Sequence, residues 1–217
     1  MDCAATGTPD TSVRATATGG TSRRSRRSVE RFRIVSHDRR PYRLVRSGRY
    51  RDRVILTRTA AAAETAQLAA AVAEMVRPRD LLLLSGDLGA GKTTFTQGFG
   101  RGLGVDEQIT SPTFTLVRSY EGRLSLFHLD VYRLGIDEVA DLGLSELLDG
   151  DAVTVIEWGD TIAPLLGADR LEVRIHLAEG DDDRLIEIET VGSWAARDRA
   201  LRAALAPWIA DEDSTPC

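Results

Sequence analysis

The stretch GDLGAGKTTF, residues 86–95, holds Lys92, the one lysine among the 28 basic residues of the chain. A chain that otherwise uses arginine keeps an ammonium group here, inside a glycine-rich loop. Gly86, Gly91, Lys92 and Thr93 fit the spacing G-x-x-x-x-G-K-[ST], after the apolar run LLLLS (81–85) and before a helical pattern. Glycines at 86, 89 and 91 let the backbone from Gly86 through Asp87, Leu88, Gly89, Ala90 and Gly91 curl around one concavity. Successive N–H groups, continuing to Lys92, Thr93 and Thr94, then face a phosphate, and the helix start adds its positive end. Lys92 supplies a slim point charge that reaches the β- and γ-phosphates, a space too narrow for arginine's planar fork. Thr93 offers a hydroxyl to Mg²⁺.

Such a loop needs an acid near the metal, delivered at a strand end. Glu157 closes AVTVIE and Asp130 lies within FHLDVY, both in apolar strands where an unpaired carboxylate is costly. For Asp130 a salt bridge to Arg133 is the competing structural role. His128 reads as a packing or hydrogen-bonding residue rather than a ligand, and Trp158 as packing beside the site. The segment ITSPTFTL (109–116) places Ser111 or Thr113 beside the γ-phosphate, or forms an ordinary Ser-Pro turn. The chain contains no asparagine. It therefore lacks the Asn-Lys-x-Asp motif by which guanine-specific proteins read their base, and ATP is the expected nucleotide.

Elements must carry these residues. VILT (54–57) reads as a strand and the alanine-rich run 60–76 as a helix stopped by Pro78. LLLLS is a strand buried on both faces, and 92–104 a helix ending at glycine. FTLVRSY (114–120) and LSLFHLDVY (124–132) form an antiparallel pair through Gly122. Residues 137–149 are helical in pieces, and AVTVIEW (152–158) is another buried strand. LEVRIHL (171–177) and RLIEIET (184–190) alternate around EGDDD as a hairpin with one wet face. Residues 194–209 predict an amphipathic helix. The pattern is a three-layer α/β domain of the P-loop NTPase kind, with a mixed central sheet and a C-terminal hairpin plus helix.

Composition divides the chain near Val54. Residues 1–53 hold 14 arginines against five acids, a balance of +9, so residues 54–217 carry −14 within the total of −5. The first segment, rich in Arg, Ser, Thr and Gly, lacks either structural period and is expected to be disordered, with 54–217 as the ATPase domain. A solvated extension, or upstream sequence preceding a valine start at Val54, is favoured over a nucleic-acid-binding arm or an organellar transit peptide. Intact mass of the native protein decides whether it begins near Val54. No apolar run is long enough to span a bilayer, so no membrane role is expected. Two cysteines, Cys3 and Cys217, offer neither a disulfide framework nor a metal cluster and suit the cytoplasm.

GDLGAGKTTF, TSPTFTL, FHLDVYRL and IEW, in this order and spacing, closely resemble the bacterial TsaE family over roughly residues 54–192. The resemblance implies a small ATPase of tRNA threonylcarbamoyladenosine biosynthesis that binds ATP and Mg²⁺ and hydrolyses ATP weakly alone. It implies partnership with the TsaB and TsaD proteins, whose complex modifies the adenosine beside the anticodon of tRNAs reading ANN codons. Carried over by motif, Gly86 to Thr94 hold ATP, Thr93 and Glu157 bind Mg²⁺, and Asp130 serves hydrolysis alongside Lys92 and Glu157. The SPTF segment is then the nucleotide sensor. The alternatives are a P-loop small-molecule kinase, a nucleotide-gated binding protein without significant catalysis, and an RNA-binding module led by the basic segment. The acidic body argues against broad RNA contact, so tRNA is expected to be held through partners.

Overall fold

The computed structural model describes residues 53–112, 116–132, 134, 138–139 and 143–210. The basic segment through residue 52, Thr113, Phe114 and Arg133 lie outside the described residues.

In chain order the elements are β1 (Val54–Thr59), α1 (Ala62–Ala73), β2 (Leu81–Ser85), α2 (Lys92–Gly102), β3 (Val117–Tyr120), β4 (Leu126–Asp130), α3 (Leu144–Asp149), β5 (Val153–Glu157), β6 (Arg170–Leu177), β7 (Arg184–Val191) and α4 (Asp198–Ala204). The strands form one seven-stranded sheet ordered β1-β7-β6-β2-β5-β4-β3. Its centre is parallel, β6 to β2 to β5 to β4. Its edges are antiparallel: β1 with β7, β7 with β6, and β3 with β4.

The continuous apolar runs follow from two covered faces. Leu82 and Leu84 of β2, with Val153 and Val155 of β5, pack toward α1, α2 and α4 among Leu68, Phe95, Phe99 and Leu201. Leu81 and Leu83, with Ile156 and Leu129, pack on the other side among Val131, Leu144 and Ile162. The result is the expected three layers. The two helices of the first layer approach closely because Gly98 lets them: a Cβ there would lie 2.2 Å from the Ala66 carbonyl oxygen. Glycine at this position seats the helix that opens at Lys92 against α1.

Several element bounds differ from the sequence expectation. The helix expected over 194–209 is broken into a 3₁₀ segment Gly192–Arg197, the short α4, and a second 3₁₀ turn Ala206–Trp208. Pro207 removes an N–H and its ring cannot follow an α-helical turn, so the chain tightens there. The helix expected over 60–76 is regular only through Ala73. Of the strand expected over 114–120, Val117–Tyr120 is β3, Leu116 adopts a left-handed φ of 64°, and 114–115 lie outside the described residues. Among the described residues, no helix is long and apolar enough to cross a membrane.

Candidate functional site

β2 delivers the chain to the sheet's carboxyl edge, where ligands of open α/β sheets bind. There Gly86 takes φ 138°, and a Cβ would sit 2.2 Å from the Ile175 carbonyl oxygen of β6. Both dihedral and crowding reserve this exit for glycine. Gly91, at φ 110°, starts α2, and Phe95 and Phe99 of that helix are fully buried. The loop is thus clamped at both ends while Leu88 at its tip stands 79% exposed.

Lys92 is only 5% exposed. Its Nζ donates to the carbonyls of Gly86 at 2.8 Å and Asp87 at 2.9 Å, so the ammonium lies across the mouth of its own loop. It also sits 3.7 Å from the ring centroid of Trp158, a cation–π contact. Burial pulls the Lys92 pKa below its ordinary value; the charges of Glu157, Asp130, Asp87 and Asp160 act in the opposite sense. Trp158 holds a left-handed φ of 62° and stacks on Tyr132 at 4.7 Å. The sequence suggests packing for Trp158; here that packing is on the lysine.

Strand period explains the acids. Along β4, Leu126 faces the α2 side, so His128 and Asp130 share that face; along β5, Val153 and Val155 face the same way, and so does Glu157. Asp130 and Glu157 are register partners across the parallel pair. Thr93, in the first turn of α2, donates its hydroxyl proton to Glu157, with Oγ1 3.0 Å from Oε1 and 3.3 Å from Oε2. His128 Nε2 lies 2.9 Å from Glu157 Oε1. Asp130 accepts the Ser111 hydroxyl at 3.1 Å and the Tyr132 N–H at 3.0 Å. Because Thr93 gives its proton to the carboxylate, its oxygen lone pairs remain for a hard cation, and a hydroxyl with a carboxylate is a donor set suited to Mg²⁺.

Gly86 to Thr94, Lys92, Glu157 and Asp130 therefore meet at one edge of the sheet, and Ser111 joins them through Asp130. The Asp130–Arg133 ion pair and the placement of Thr113 fall outside the described residues. Sequence reading took His128 as a packing or hydrogen-bonding residue without naming its partner, and did not single out Arg184. His128 bonds the site's carboxylate; its signal was the shared strand face with Asp130. Arg184 of β7 donates from Nε to the Ala90 carbonyl at 2.8 Å. Together with Asp182 it closes a cleft whose other walls are Ala62, Thr65, Gly89, Gly91 and Thr94. No local pattern announces a hairpin residue that reaches the loop across the sheet.

A phosphate-type loop between β2 and α2, with an acid ending the neighbouring β5 of a mixed sheet, defines a three-layer α/β domain of the P-loop kind. The comparisons give this class a family. The family model described as "Threonylcarbamoyl adenosine biosynthesis protein TsaE" matches residues 59–186, and the chain belongs to that family. It is 47% identical over 137 residues to the tRNA threonylcarbamoyladenosine biosynthesis protein TsaE of Bacillus subtilis, covering 63% of this chain and 85% of the relative. The Streptomyces coelicolor protein of the same name is 43% identical, over 63% of this chain and 98% of that one. Among solved structures, Bacillus subtilis YdiB superposes with a TM-score of 0.60 at 39% identity, over 71% of this chain and 95% of that one.

Proposed function

We propose that this chain binds ATP with Mg²⁺ in the Gly86–Thr94 loop and hydrolyses it in the service of tRNA threonylcarbamoyladenosine biosynthesis, acting with TsaB and TsaD proteins in the cytoplasm. One observation carries the reading: Thr93 Oγ1 and Glu157 are joined at 3.0 Å beside the buried Lys92 ammonium. That arrangement gathers a cation for the phosphates and a hydroxyl–carboxylate pair for a metal at one point. Family membership supplies the biosynthetic context.

In this reading the loop N–H groups and the N-terminus of α2 hold the phosphate oxygens, and Lys92 leaves the Gly86 and Asp87 carbonyls for the β- and γ-phosphates. Thr93 and Glu157 would hold Mg²⁺, which supplies neutralising charge for the developing anion. Asp130 orients the attacking water, and its bond to Ser111 ties that function to the 109–112 segment. The adenine lies toward the cleft of Ala62, Thr65 and Arg184, at the start of α1. tRNA is contacted through the partners, consistent with the −14 balance of residues 54–217.

Phosphate release measured alone and with a TsaB–TsaD pair tests the proposal. Weak release that rises strongly with partners is expected; release indifferent to them overturns the assignment to the complex. A small-molecule kinase would instead transfer the phosphoryl group to an added acceptor without partners.

A further inference from the structure

We propose that His128 is a positioning residue for Glu157: its Nε2–H fixes the carboxylate that receives the Thr93 proton, and so sets the site's affinity for Mg²⁺. The inference rests on the Mg²⁺-nucleotide reading above and deepens it.

His128 is fully buried and Glu157 is 3% exposed. Their contact is 2.9 Å, from Nε2 to Oε1. With its proton on Nε2, the ring donates to Glu157 Oε1. The other ring nitrogen, Nδ1, is buried and has no hydrogen-bond partner among the described residues. The imidazole therefore ties down one group, and that group is Glu157. Among the described residues, the ring's one hydrogen-bond partner is the Glu157 carboxylate, through Nε2.

The bond has a geometric consequence. Oε1 takes both His128 Nε2 and Thr93 Oγ1, from β4 on one side and α2 on the other, which fixes the carboxylate's rotation. Thr93 is then compelled to donate toward Glu157 and to turn its lone pairs outward. Outer-shell donors of this type change metal affinity by about 10–100-fold when removed. Glu157 without its imidazole would be a buried carboxylate one bond short, free to rotate and release the threonine proton.

The test uses the full chain and a fluorescent ATP analogue, titrated in EDTA and then with rising Mg²⁺. His128→Leu should leave affinity in EDTA within about twofold of wild type, while the Mg²⁺ concentration for half-maximal effect rises about 10–100-fold. His128→Gln, whose amide nitrogen can stand where Nε2 stood, should restore Mg²⁺ response to within about threefold. A folded His128→Leu variant with the wild-type Mg²⁺ curve overturns the proposal. If that variant shows no cooperative melt, Gln is compared with His128→Asn, whose shorter side chain cannot reach. Gln near wild type with Asn weakened supports the role, and equal behaviour overturns it. Wild-type protein that binds the analogue without regard to Mg²⁺ instead sinks the metal reading itself, which separates the two failures.

Discussion

Both halves of the sheet bury a glutamate, and they treat it differently. In the antiparallel half, Glu187 of β7 is fully buried and faces Arg174 at 4.0 Å and His176 at 3.5 Å. Arg174 also meets Glu189 at 3.0 Å and pairs with Glu172, which takes Arg170 at 2.7 Å. Across β6 and β7, Glu172, Glu187 and Glu189 each lie within ion-pair distance of Arg174. In the parallel half, Glu157 is held by a hydroxyl and an imidazole, and no arginine pairs with it among the described residues. The cation whose charge acts on this carboxylate is the Lys92 ammonium, itself placed in the loop rather than paired within the sheet. Burial alone does not mark a site; the kind of partner does.

The sharpest way to break this comparison is at the lysine. Lys92→Ala removes the one ammonium at the loop, and nucleotide affinity by calorimetry should fall by about 100-fold or more, the worth of a charged hydrogen bond in a buried site. Retained affinity would reduce the loop to a structural turn. Next comes Asp130→Ala, which should leave nucleotide affinity within about threefold while single-turnover hydrolysis drops about 100-fold. Normal hydrolysis would strip Asp130 of its role and leave it as a strap between Ser111 and Tyr132. Arg174→Met probes the other half: thermal unfolding should show a loss of about 1–3 kcal/mol, with nucleotide affinity unchanged. A change in affinity there would erase the distinction between the halves.

Much of this was legible in the residues. LLLLS and VTVIE read as strands because both faces are covered, and the loop was legible because glycine spacing and a lone lysine answer to local backbone geometry. What escaped notice depends on which strands are neighbours. The reading could leave His128 as a packing or hydrogen-bonding residue, yet only the parallel pairing of β4 and β5 puts its ring against Glu157. Glu187 read as part of a wet hairpin face, and tertiary burial overrode that alternation. The C-terminal run kept a helical pattern in its apolar residues, but Pro207 cut it, a local rule outweighing the period. Before that break, Arg197 clamps Asp80 with two bonds, at 2.5 and 2.7 Å, and lies over the Trp194 ring.

The smallest effect expected concerns what the lysine costs the protein. Burial is the largest influence on Lys92, and it outweighs the nearby acids enough to lower the pKa. The folded environment therefore disfavours the ammonium relative to water, even with two carbonyls and an indole face around it. Lys92→Met keeps the volume and removes the charge, so the nucleotide-free variant should be as stable as wild type or more stable by about 1 kcal/mol. The pH dependence gives a second readout with a definite sign. Between the lowered folded value and the ordinary 10.5, the unfolded chain holds the proton that the folded chain has released. Wild-type stability then gains from this group as pH rises through that window, and the Met variant lacks the gain. A variant several degrees less stable at neutral pH would mean that the lysine holds the loop together. In that case the two halves of the sheet would handle buried charge alike, as structure, and the loop's claim to phosphate would rest on its glycines alone.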